Sequence, residues 1–360
     1  MAGRFSPSKQ RPRVTTHDVA ERAGVSQPTV SLVLGRNPRA RIAAGTRERV
    51  LRAAAELGYR GNLLARGLST RRSYTLGFVV PDLRNPFHMD VVAGAERVAA
   101  EAGYALLICE SGAGGPGARL EALHARLIDG VIIDAAEAAA LDERALGELN
   151  VVLVDEPSAR WPAVASDALG AGRTAAEHLL ALGHRRVAFI GPASESPAQR
   201  LRERGFAQAL RAAGVSIESA LLRRAPGTAA GGHEAMRALL ALGARPTAVF
   251  CANDLVAVGA LKACLKGGVR VPADCSIVGC DDVELARLVT PELTTVSVPA
   301  RELGARAARL LLQRIARRDD EPGDAAAGAR AVNPRPLPVR LVVRGTTAAP
   351  RDTVTGEVHR

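Results

Sequence analysis

Beyond residue 73 the chain alternates short apolar runs with longer Ala-, Leu- and Arg-rich stretches. Continuous apolar strands separated by amphipathic helices are typical of parallel sheets that helices cover on both faces. The repeat is long enough for two such doubly wound sheets, so the sequence predicts an α/β body. Strands are predicted at Leu76–Val80, Ala105–Cys109, Val131–Ile133, Val151–Val154, Val187–Ile190, Ala248–Cys251, Ser276–Val278 and Pro338–Val343. Helices are predicted at Val91–Ala102, Arg119–Leu127, Ala171–Leu182, Gln199–Ala213 and Asp254–Gly267.

Polar residues follow several of these strands at their carboxyl ends. Asp155, Asn253 and Asp281 each come within a few residues of a predicted strand. In open α/β folds ligands bind beyond the carboxyl ends of the strands. Carboxylate and amide side chains form paired hydrogen bonds to vicinal hydroxyl groups. The sequence therefore predicts a site for a small polar molecule at this edge. The alternative for Asn253 is that it caps the helix that follows.

The net charge of the chain, +11, lies in its N-terminal fifth. Residues 1–73 contain fifteen Lys and Arg against four Asp and Glu, and the rest of the chain contains 33 of each class. A neutral body thus follows a strongly basic module. Charge concentrated in this way is typical of a module that binds nucleic-acid phosphates.

Residues 14–57 carry the pattern of three short helices. The first begins near a threonine that can cap it, Thr15 or Thr16, and ends at Gly24, which permits a left-handed exit. A second helix is predicted at Gln27–Leu34 and a third at Thr46–Leu57. Helix, short turn, helix is the helix-turn-helix pattern, in which the second helix begins in the major groove of DNA. The fold class is therefore α/β with an N-terminal all-α module.

Two stretches of the chain resemble the LacI-type repressor family. Val14–Leu34, with the sequence VTTHDVAERAGVSQPTVSLVL, is similar to the family's DNA-binding signature, and Tyr59–Arg72 is similar to its hinge helix. The resemblance continues along most of the chain. It implies a ligand-responsive repressor that binds a palindromic operator in double-stranded DNA as a homodimer. It also implies a two-lobed, periplasmic-binding-protein-like body with an effector, a sugar or related polar metabolite, between the lobes.

The resemblance further implies which residues contact DNA. Gln27 and Pro28 occupy the two positions that largely set sequence preference; the amide of Gln27 can pair with adenine, whereas Pro28 offers only apolar contact to a thymine methyl group. The chain departs from the family at Leu32, where an arginine is frequent, and at His17. The operator sequence therefore does not carry over from relatives. The implied DNA contacts are Thr15, Thr16, Ser26, Gln27, Pro28, Thr29, Ser31, Arg41, Asn62, Ala65 and Leu68.

The hinge segment, 62–68, is short and contains Gly67, so we expect it to be marginally helical without DNA. The resemblance implies that it folds where two subunits meet over the operator, with Leu68 as an apolar wedge in the minor groove. A segment near its folding midpoint can be switched by a modest push from a ligand domain. The alternative interpretation is a flexible basic linker.

The effector contacts also follow from motifs. Pro81–His88 resembles the family's P-D-x-x-N-P-F segment, which faces the cleft. The chain departs at Cys280 and His88, where relatives often have aromatic residues. Sugar faces pack well on aromatic rings, and aromatic residues make up only 3% of the chain. A sugar is thus the first expectation for the effector and a nucleobase or other small polar ligand the second. The implied contacts are Asn85, Phe87, Asp155, Arg202, Asn253 and Asp281.

A glycine-rich loop at 112–117, GAGGPG, fits the dinucleotide-binding pattern, and Asp134 ends the next strand. It follows the second strand of the lobe, and Pro116 stiffens the turn that would approach a phosphate. No set of nucleophile, base and acid accompanies it, and the seven histidines are scattered. We therefore expect no enzyme activity, no cofactor and no metal. The alternatives are an NAD-dependent enzyme that uses this loop or a cytoplasmic solute-binding protein.

The cysteine content and the hydropathy of the chain indicate the compartment in which the protein works. The five cysteines are odd in number and form no C-x-x-C pair, which indicates buried thiols in a reducing compartment. No apolar run is long enough to span a membrane, and residues 1–13 lack the apolar core of a signal peptide. A cytoplasmic homodimer without membrane contact is predicted. The predicted organisation is a basic tail at 1–13, DNA-binding domain at 14–60, hinge at 61–73, ligand-binding and dimerisation domain at 74–348 and polar tail at 349–360.

Overall fold

A computed structural model describes residues 14–34, 42–59, 72–111, 123, 128–134, 149–155, 158, 161–193, 197–320 and 335–351. Its contacts divide the chain into an N-terminal unit, Met1–Tyr74, and a larger unit, Thr75–Arg360. The predicted combination of an all-α module and an α/β body is confirmed. Among the predicted features, Arg41, Asn62, Ala65, Leu68, the 112–117 loop and most of the 119–127 helix lie outside the described residues.

The N-terminal unit contains the helices α1 (Thr16–Ala23), α2 (Gln27–Leu34) and α3 (Ala44–Glu56). Thr15 caps α1 through a capping box, in which its hydroxyl accepts from the backbone N–H of Asp18 and the Asp18 carboxylate accepts from the backbone N–H of Thr15. Gly24 ends α1 at φ +64°, where a side chain would be strained. The helices enclose a small core of Val19, Ala20, Ala23, Val30, Val33, Val50, Ala53 and Ala54.

The first lobe of the larger unit is built on five parallel strands in the order β2-β1-β3-β4-β5. The apolar residues of β1, β3, β4 and β5 are buried because helices cover the sheet, whereas those of the edge strand β2 stay half-buried or exposed. One of these helices, α10, comes from the end of the chain and packs against α4, β3 and β4. The elements are β1 (Thr75–Val80), α4 (Pro86–Glu101), β2 (Ala105–Glu110), β3 (Gly130–Asp134), β4 (Asn150–Val154), β5 (Ala163–Val164) and α10 (Ala300–Asp320).

The second lobe has six strands in the order β11-β10-β9-β8-β6-β7. All neighbours are parallel except β11, which runs antiparallel to β10. The sequence predicts neither this direction nor the short strands β5, β7 and β10. The elements are α5 (Ala168–Ala181), β6 (Val187–Pro192), α6 (Pro197–Ala212), β7 (Leu222–Ala225), α7 (Ala229–Leu240), β8 (Ala248–Cys251), α8 (Asp254–Lys266), β9 (Ser276–Asp281), α9 (Leu285–Leu288), β10 (Thr294–Ser297) and β11 (Arg340–Val342).

Three described segments pass between the lobes: 165–167, 298–299 and 335–339. The first and third are joined, because Leu337 donates to the carbonyl of Ala165 at 2.8 Å and accepts from the N–H of Asp167 at 2.9 Å. The crossings place the carboxyl ends of both sheets at the junction. In each sheet, strand order reverses beside the first strand of the lobe, and such switch points are where open α/β sheets bind ligands.

Glycines bring the helices of three pairs into backbone contact. A Cβ atom on Gly172 of α5 would lie 1.8 Å from the carbonyl oxygen of Arg202 in α6, and one on Gly205 would lie 1.9 Å from that of Leu169. The same reciprocal contact joins α4 to α10 and α7 to α8. Only glycine permits this approach, so these residues set the distance between the helices. The other contacts are Gly94 with Arg301, Gly304 with Val91, Gly232 with Val256 and Gly259 with Ala229.

We expect Gly172→Ala to destabilise the larger unit. The added methyl group must push α5 from α6, and overpacking of this kind costs ~1–3 kcal/mol or more, whereas the better helix propensity of alanine returns only ~1 kcal/mol. The thermal unfolding midpoint should fall by several degrees. Gly243→Ala is the matched control, because a Cβ there meets no atom within 4 Å; equal midpoints for both variants would contradict the close-contact argument.

No helix in the described part of the chain has the length and apolar character needed to cross a membrane.

Candidate effector site and nucleic-acid interface

Two aspartates at strand ends adopt left-handed backbone conformations. Asp155 follows β4 at φ 78° and Asp281 ends β9 at φ 121°. Residues other than glycine rarely occupy this region, and such strain clusters at ligand sites. Asp155 belongs to the first lobe and is half-buried, whereas Asp281 belongs to the second lobe and is buried.

Arg202 of α6 supplies the cation of this site. Its side chain is 3% exposed, and its Nη2 lies 3.0 Å from Oδ1 of Asp281. Its Nη1 donates to the carbonyl of Ala252 at 2.6 Å. Within the described residues, Nε of Arg202 and Oδ1 of Asp281 have no hydrogen-bond partner, so the contact between the two side chains is an ion pair without hydrogen-bond alignment. Buried polar atoms are rarely left unpaired, and these two offer one donor and one acceptor to a ligand.

The carboxylates share one guanidinium. Burial raises the pKa of Asp155 to about 6, although Arg202 and a hydrogen bond from Ser166 lower it. Burial raises the pKa of Asp281 to about 8, again against the effect of Arg202. Desolvation outweighs the ion contact because a single cation serves both groups. Both carboxyls therefore keep their protons to a higher pH than an exposed aspartate does.

His88 and Asp134 form part of the first-lobe wall. Nδ1 of His88 lies 3.7 Å from Oδ2 of Asp134, and the imidazole meets the Phe87 ring edge to face with centroids 5.6 Å apart. Burial lowers the pKa of His88 to about 4, with Asp82 raising it and Arg202 lowering it. The histidine is thus neutral at pH 7 and lies within electrostatic reach of Arg202. Sequence reasoning places His88 in the segment that faces the cleft but does not reveal its contact with Asp134, because that contact joins α4 to the end of β3.

A cavity of about 270 Å³ opens where the two lobes meet. Phe87 lines it from the first lobe, Asp281 from the second, and the crossing segment adds Val298 and Pro299. An aromatic ring with a few convergent polar groups is typical of a small-molecule site. Among the predicted effector contacts, Phe87 and Asp281 line this cavity. Arg202 pairs with Asp281 and acts electrostatically on Asp155; that these residues bind effector remains a prediction.

Asn85 and Asn253, the two other predicted effector contacts, each cap a helix. The side-chain oxygen of Asn85 accepts from the N–H of Phe87 at 3.1 Å and caps α4. The oxygen of Asn253 accepts from the N–H of Val256 at 2.8 Å and caps α8, while its Nδ2 donates to the carbonyl of Gly227 at 3.2 Å. Asn253 therefore caps α8, which is the geometry that the alternative interpretation predicts. One hydrogen of its amide group is not used in these two contacts.

Asp254 supports the turn that carries Asp281. Its Oδ1 accepts from the hydroxyl of Thr295 at 2.6 Å and its Oδ2 from the N–H of Val283 at 2.9 Å. A Cβ on Gly279 would lie 2.2 Å from this carboxylate. Burial raises the pKa of Asp254 to about 6 in spite of these hydrogen bonds. The next aspartate in the chain, Asp282, pairs with Arg344 and has a structural role.

The N-terminal unit presents one face of α2. Ser26, Gln27, Pro28 and Ser31 are exposed and Thr29 is half-buried. The hydroxyls of Ser26 and Thr29 are 2.9 Å apart, and the Ser26 hydroxyl accepts from the N–H of Thr29 at 3.4 Å, so Ser26 caps the start of α2. The predicted DNA contacts of this helix therefore share one surface. Of the two predicted threonines before and in α1, Thr15 is the exposed cap and Thr16 is half-buried.

The fold and the site define a class: helix-turn-helix proteins with a two-lobed, periplasmic-binding-protein-like body. Residues 15–62 match the bacterial regulatory proteins of the lacI family, and residues 176–347 match the periplasmic binding protein-like domain. The transcriptional repressor CytR of Escherichia coli K12 is 33% identical over 347 residues, 95% of this chain and 98% of the relative. The ribose operon repressor of the same strain is 34% identical over 314 residues, 84% and 93% of the two chains.

Solved structures give the same result. The lac repressor dimer bound to operator and the anti-inducer ONPF is 31% identical with a TM-score of 0.77, covering 94% of this chain and 100% of that one. The CelR–cellobiose complex is 30% identical with a TM-score of 0.67, covering 93% and 100%. The chain belongs to the lacI family of bacterial regulatory proteins. The relatives named here are transcriptional regulators, which agrees with the expectation that the chain is not an enzyme. No group of three potential metal ligands occurs within the described ranges.

The raised pKa of Asp281 predicts a pH dependence of stability. Its ordinary pKa in an unfolded chain is ~3.9, so between about pH 4 and pH 8 the folded protein holds a proton that the unfolded chain has lost. The stability that this proton contributes is present below pH ~4 and is lost as the pH rises towards 8. Asp281→Asn cannot ionise, so its thermal midpoint should fall less than that of the wild type between pH 5 and pH 8.

Asp274→Asn is the matched control for this measurement. Hydrogen bonds from Arg270 lower the pKa of Asp274 to about 2, so that carboxylate stays ionised from pH 5 to pH 8 and its variant should follow the wild type. If the Asp281→Asn midpoint also runs parallel to the wild type, the pairing with Arg202 outweighs burial and the assigned direction is wrong.

Proposed function

We propose that the chain is a ligand-responsive, sequence-specific transcriptional regulator that acts as a repressor. It binds a palindromic operator as a homodimer and a sugar or other small polar effector between its lobes. One observation carries the proposal. This chain of the lacI family contains both a helix-turn-helix unit and a cleft in which Arg202 is buried near carboxylates. The first element supplies sequence-specific binding and the second supplies the signal.

Operator binding is supported by the charge and surface of the N-terminal unit. The excess of eleven positive charges in residues 1–73 favours attraction to phosphates. The exposed amide and hydroxyl groups of α2 suit base-edge and phosphate contacts. Because the lac repressor structure is that of a dimer bound to operator, we assign the same mode of binding to this chain. Its site of action is then the cytoplasm, where bacterial DNA lies.

A homodimer is supported by an apolar surface on the second lobe. Leu265 is 79% exposed and Leu288 is 70% exposed. Leu265 borders a groove of about 490 Å³ that Val258, Leu261 and Val289 help to line. Large exposed side chains beside an apolar groove are typical of a protein interface. A two-fold dimer requires two symmetric half-sites in the DNA.

The effector class follows from the chemistry of the cleft and from relatives. Arg202 and Asp281 offer an unpaired donor and acceptor, and Asp155 adds a second carboxylate. Hydroxyl groups both donate and accept, so a polyol satisfies such a set. Among the relatives, one is the ribose operon repressor and another was solved with cellobiose. A sugar is therefore the first candidate.

The operator is tested by selecting bound fragments from random DNA with the purified full chain at one stated salt concentration. We expect a single palindromic site, because specific binding exceeds non-specific binding by ~10³–10⁷. Leu68→Ala should weaken binding to that site by about tenfold per subunit, and thus about a hundredfold for the dimer, since most of a buried leucine's contribution of ~1.5–3 kcal/mol is lost in each subunit. Leu51→Ala, an exposed leucine of α3, is the control. Salt-sensitive binding without an enriched site would contradict the proposal.

The effector response is tested with a panel of monosaccharides, disaccharides including cellobiose, and nucleobases. A compound of the panel should raise the thermal midpoint of the wild type and change its affinity for the selected DNA. Arg202→Lys keeps the charge but loses the planar fork of donors, so both effects should be lost while DNA binding without the compound is retained. Arg204→Ala, an exposed residue of the same helix, should behave as the wild type. A response unchanged in Arg202→Lys would place the effector elsewhere.

A further inference from the structure

The helix α2 carries no charged residue, although the unit that contains it is strongly basic. Its sequence is QPTVSLVL, whereas residues 1–73 contain fifteen Lys and Arg. A helix that enters the major groove usually reads guanine through Arg or Lys, which donate to O6 and N7. No residue of α2 can make that contact with guanine. Its base-reading chemistry is limited to one amide, a few hydroxyls and apolar side chains.

The exposed side chains of α2 fall into two adjacent strips. Gln27 and Ser31 lie one turn apart and form a polar strip, while Pro28 and Leu32 lie one turn apart beside them and form an apolar strip. Val30 is buried in the three-helix core at 0% exposure, which fixes the opposite face inward. Leu32 remains 41% exposed. Its side chain is therefore accessible to an apolar group on a bound partner.

The major groove offers one apolar group, the C5 methyl of thymine. We propose that Pro28 and Leu32 read thymine methyl groups, and that the base pairs opposite α2 in each half-site are A·T. The polar strip fits the same pairs, because the amide of Gln27 can pair with N6 and N7 of adenine. This inference rests on the proposed function and adds the chemical class of base that the helix selects.

The test starts from the palindromic site recovered with the full chain. Each thymine of the half-site is replaced in turn by uracil, which removes only the methyl group, in both half-sites of the duplex. Affinity is measured at one salt concentration. At the positions read by α2 we expect a loss of about fourfold per half-site, the effect of one buried methyl group, and thus about fifteenfold for the symmetric duplex. Uracil elsewhere in the α2 footprint should have no effect.

Variants assign the contact to Leu32. Leu32→Ala should become indifferent to uracil at one position and keep its sensitivity at the position read by Pro28. Leu32→Arg should shift preference at the same position to G·C, because arginine pairs with guanine. Leu51→Ala truncates another exposed leucine of the same unit and should keep the wild-type pattern, which shows that a general loss of apolar surface is not the cause.

The outcomes separate this inference from the proposed function. A recovered site that binds equally well with uracil at every position, or that has G·C pairs opposite α2, overturns the thymine reading and leaves the repressor function in place. The thymine reading is also overturned if Leu32→Ala shows the same loss of affinity with uracil as the wild type at every position, since Leu32 would then not contact a thymine methyl group. Failure to recover any palindromic site overturns both.

Discussion

The charge of one guanidinium, paired with a carboxylate of its own lobe and acting on a carboxyl of the other, is the interaction on which the rest of the site depends. Arg202 lies 3.0 Å from Asp281 in its own lobe and lowers the pKa of Asp155, which belongs to the first lobe. The desolvation free energy of three buried ionisable groups exceeds the attraction gained from one ion pair. The pKa values of both aspartates are raised for this reason. With Nε of Arg202 and Oδ1 of Asp281 unpaired within the described residues, a ligand that supplies one acceptor and one donor gains the hydrogen bonds that the protein leaves unmade.

The helix that carries this guanidinium is placed by close backbone contact with α5. The carbonyl of Arg202 lies where a Cβ of Gly172 would be, so α5 holds α6 at a distance that one methyl group would change. The first turn of α10 is held in the same way, by the carbonyl of Arg301 against Gly94. That helix begins directly after the crossing segment whose Val298 donates to the carbonyl of Asp281 at 3.3 Å. The α4 and α10 residues that line the cavity thus belong to a helix pair packed at glycine, where little adjustment is possible.

The sequence predicts the parts of this arrangement that depend on local pattern. β8 was predicted at Ala248–Cys251 and has those bounds, because a fully apolar run between helices leaves few alternatives. The strand β7 has the sequence LRRA, and its two arginines interrupt the apolar pattern that identifies the other strands. The antiparallel direction of β11 cannot be predicted from local pattern, because it depends on how a segment far along the chain re-enters the sheet. Motifs located Asp155, Arg202 and Asp281, which the structure brings together. They could not reveal that His88 meets Asp134, or that Asp254 holds the turn after β9, because those contacts join residues far apart in the chain.

The location of Asp155 links the cleft to the segments that join the lobes. Its Oδ1 accepts from the hydroxyl of Ser166 at 3.5 Å, and Ser166 lies on the crossing segment that is bridged to Leu337. A ligand that takes a hydrogen bond from Arg202 and gives one to Asp155 touches both lobes and alters the charge next to this segment. A ligand can shift a conformational equilibrium only by its difference in affinity for the two states, and couplings between sites are typically ~1–3 kcal/mol. One charge-assisted hydrogen bond made in one lobe arrangement and lost in the other is of that size. A switch of ordinary strength therefore requires no more than one such hydrogen bond that differs between the two lobe arrangements.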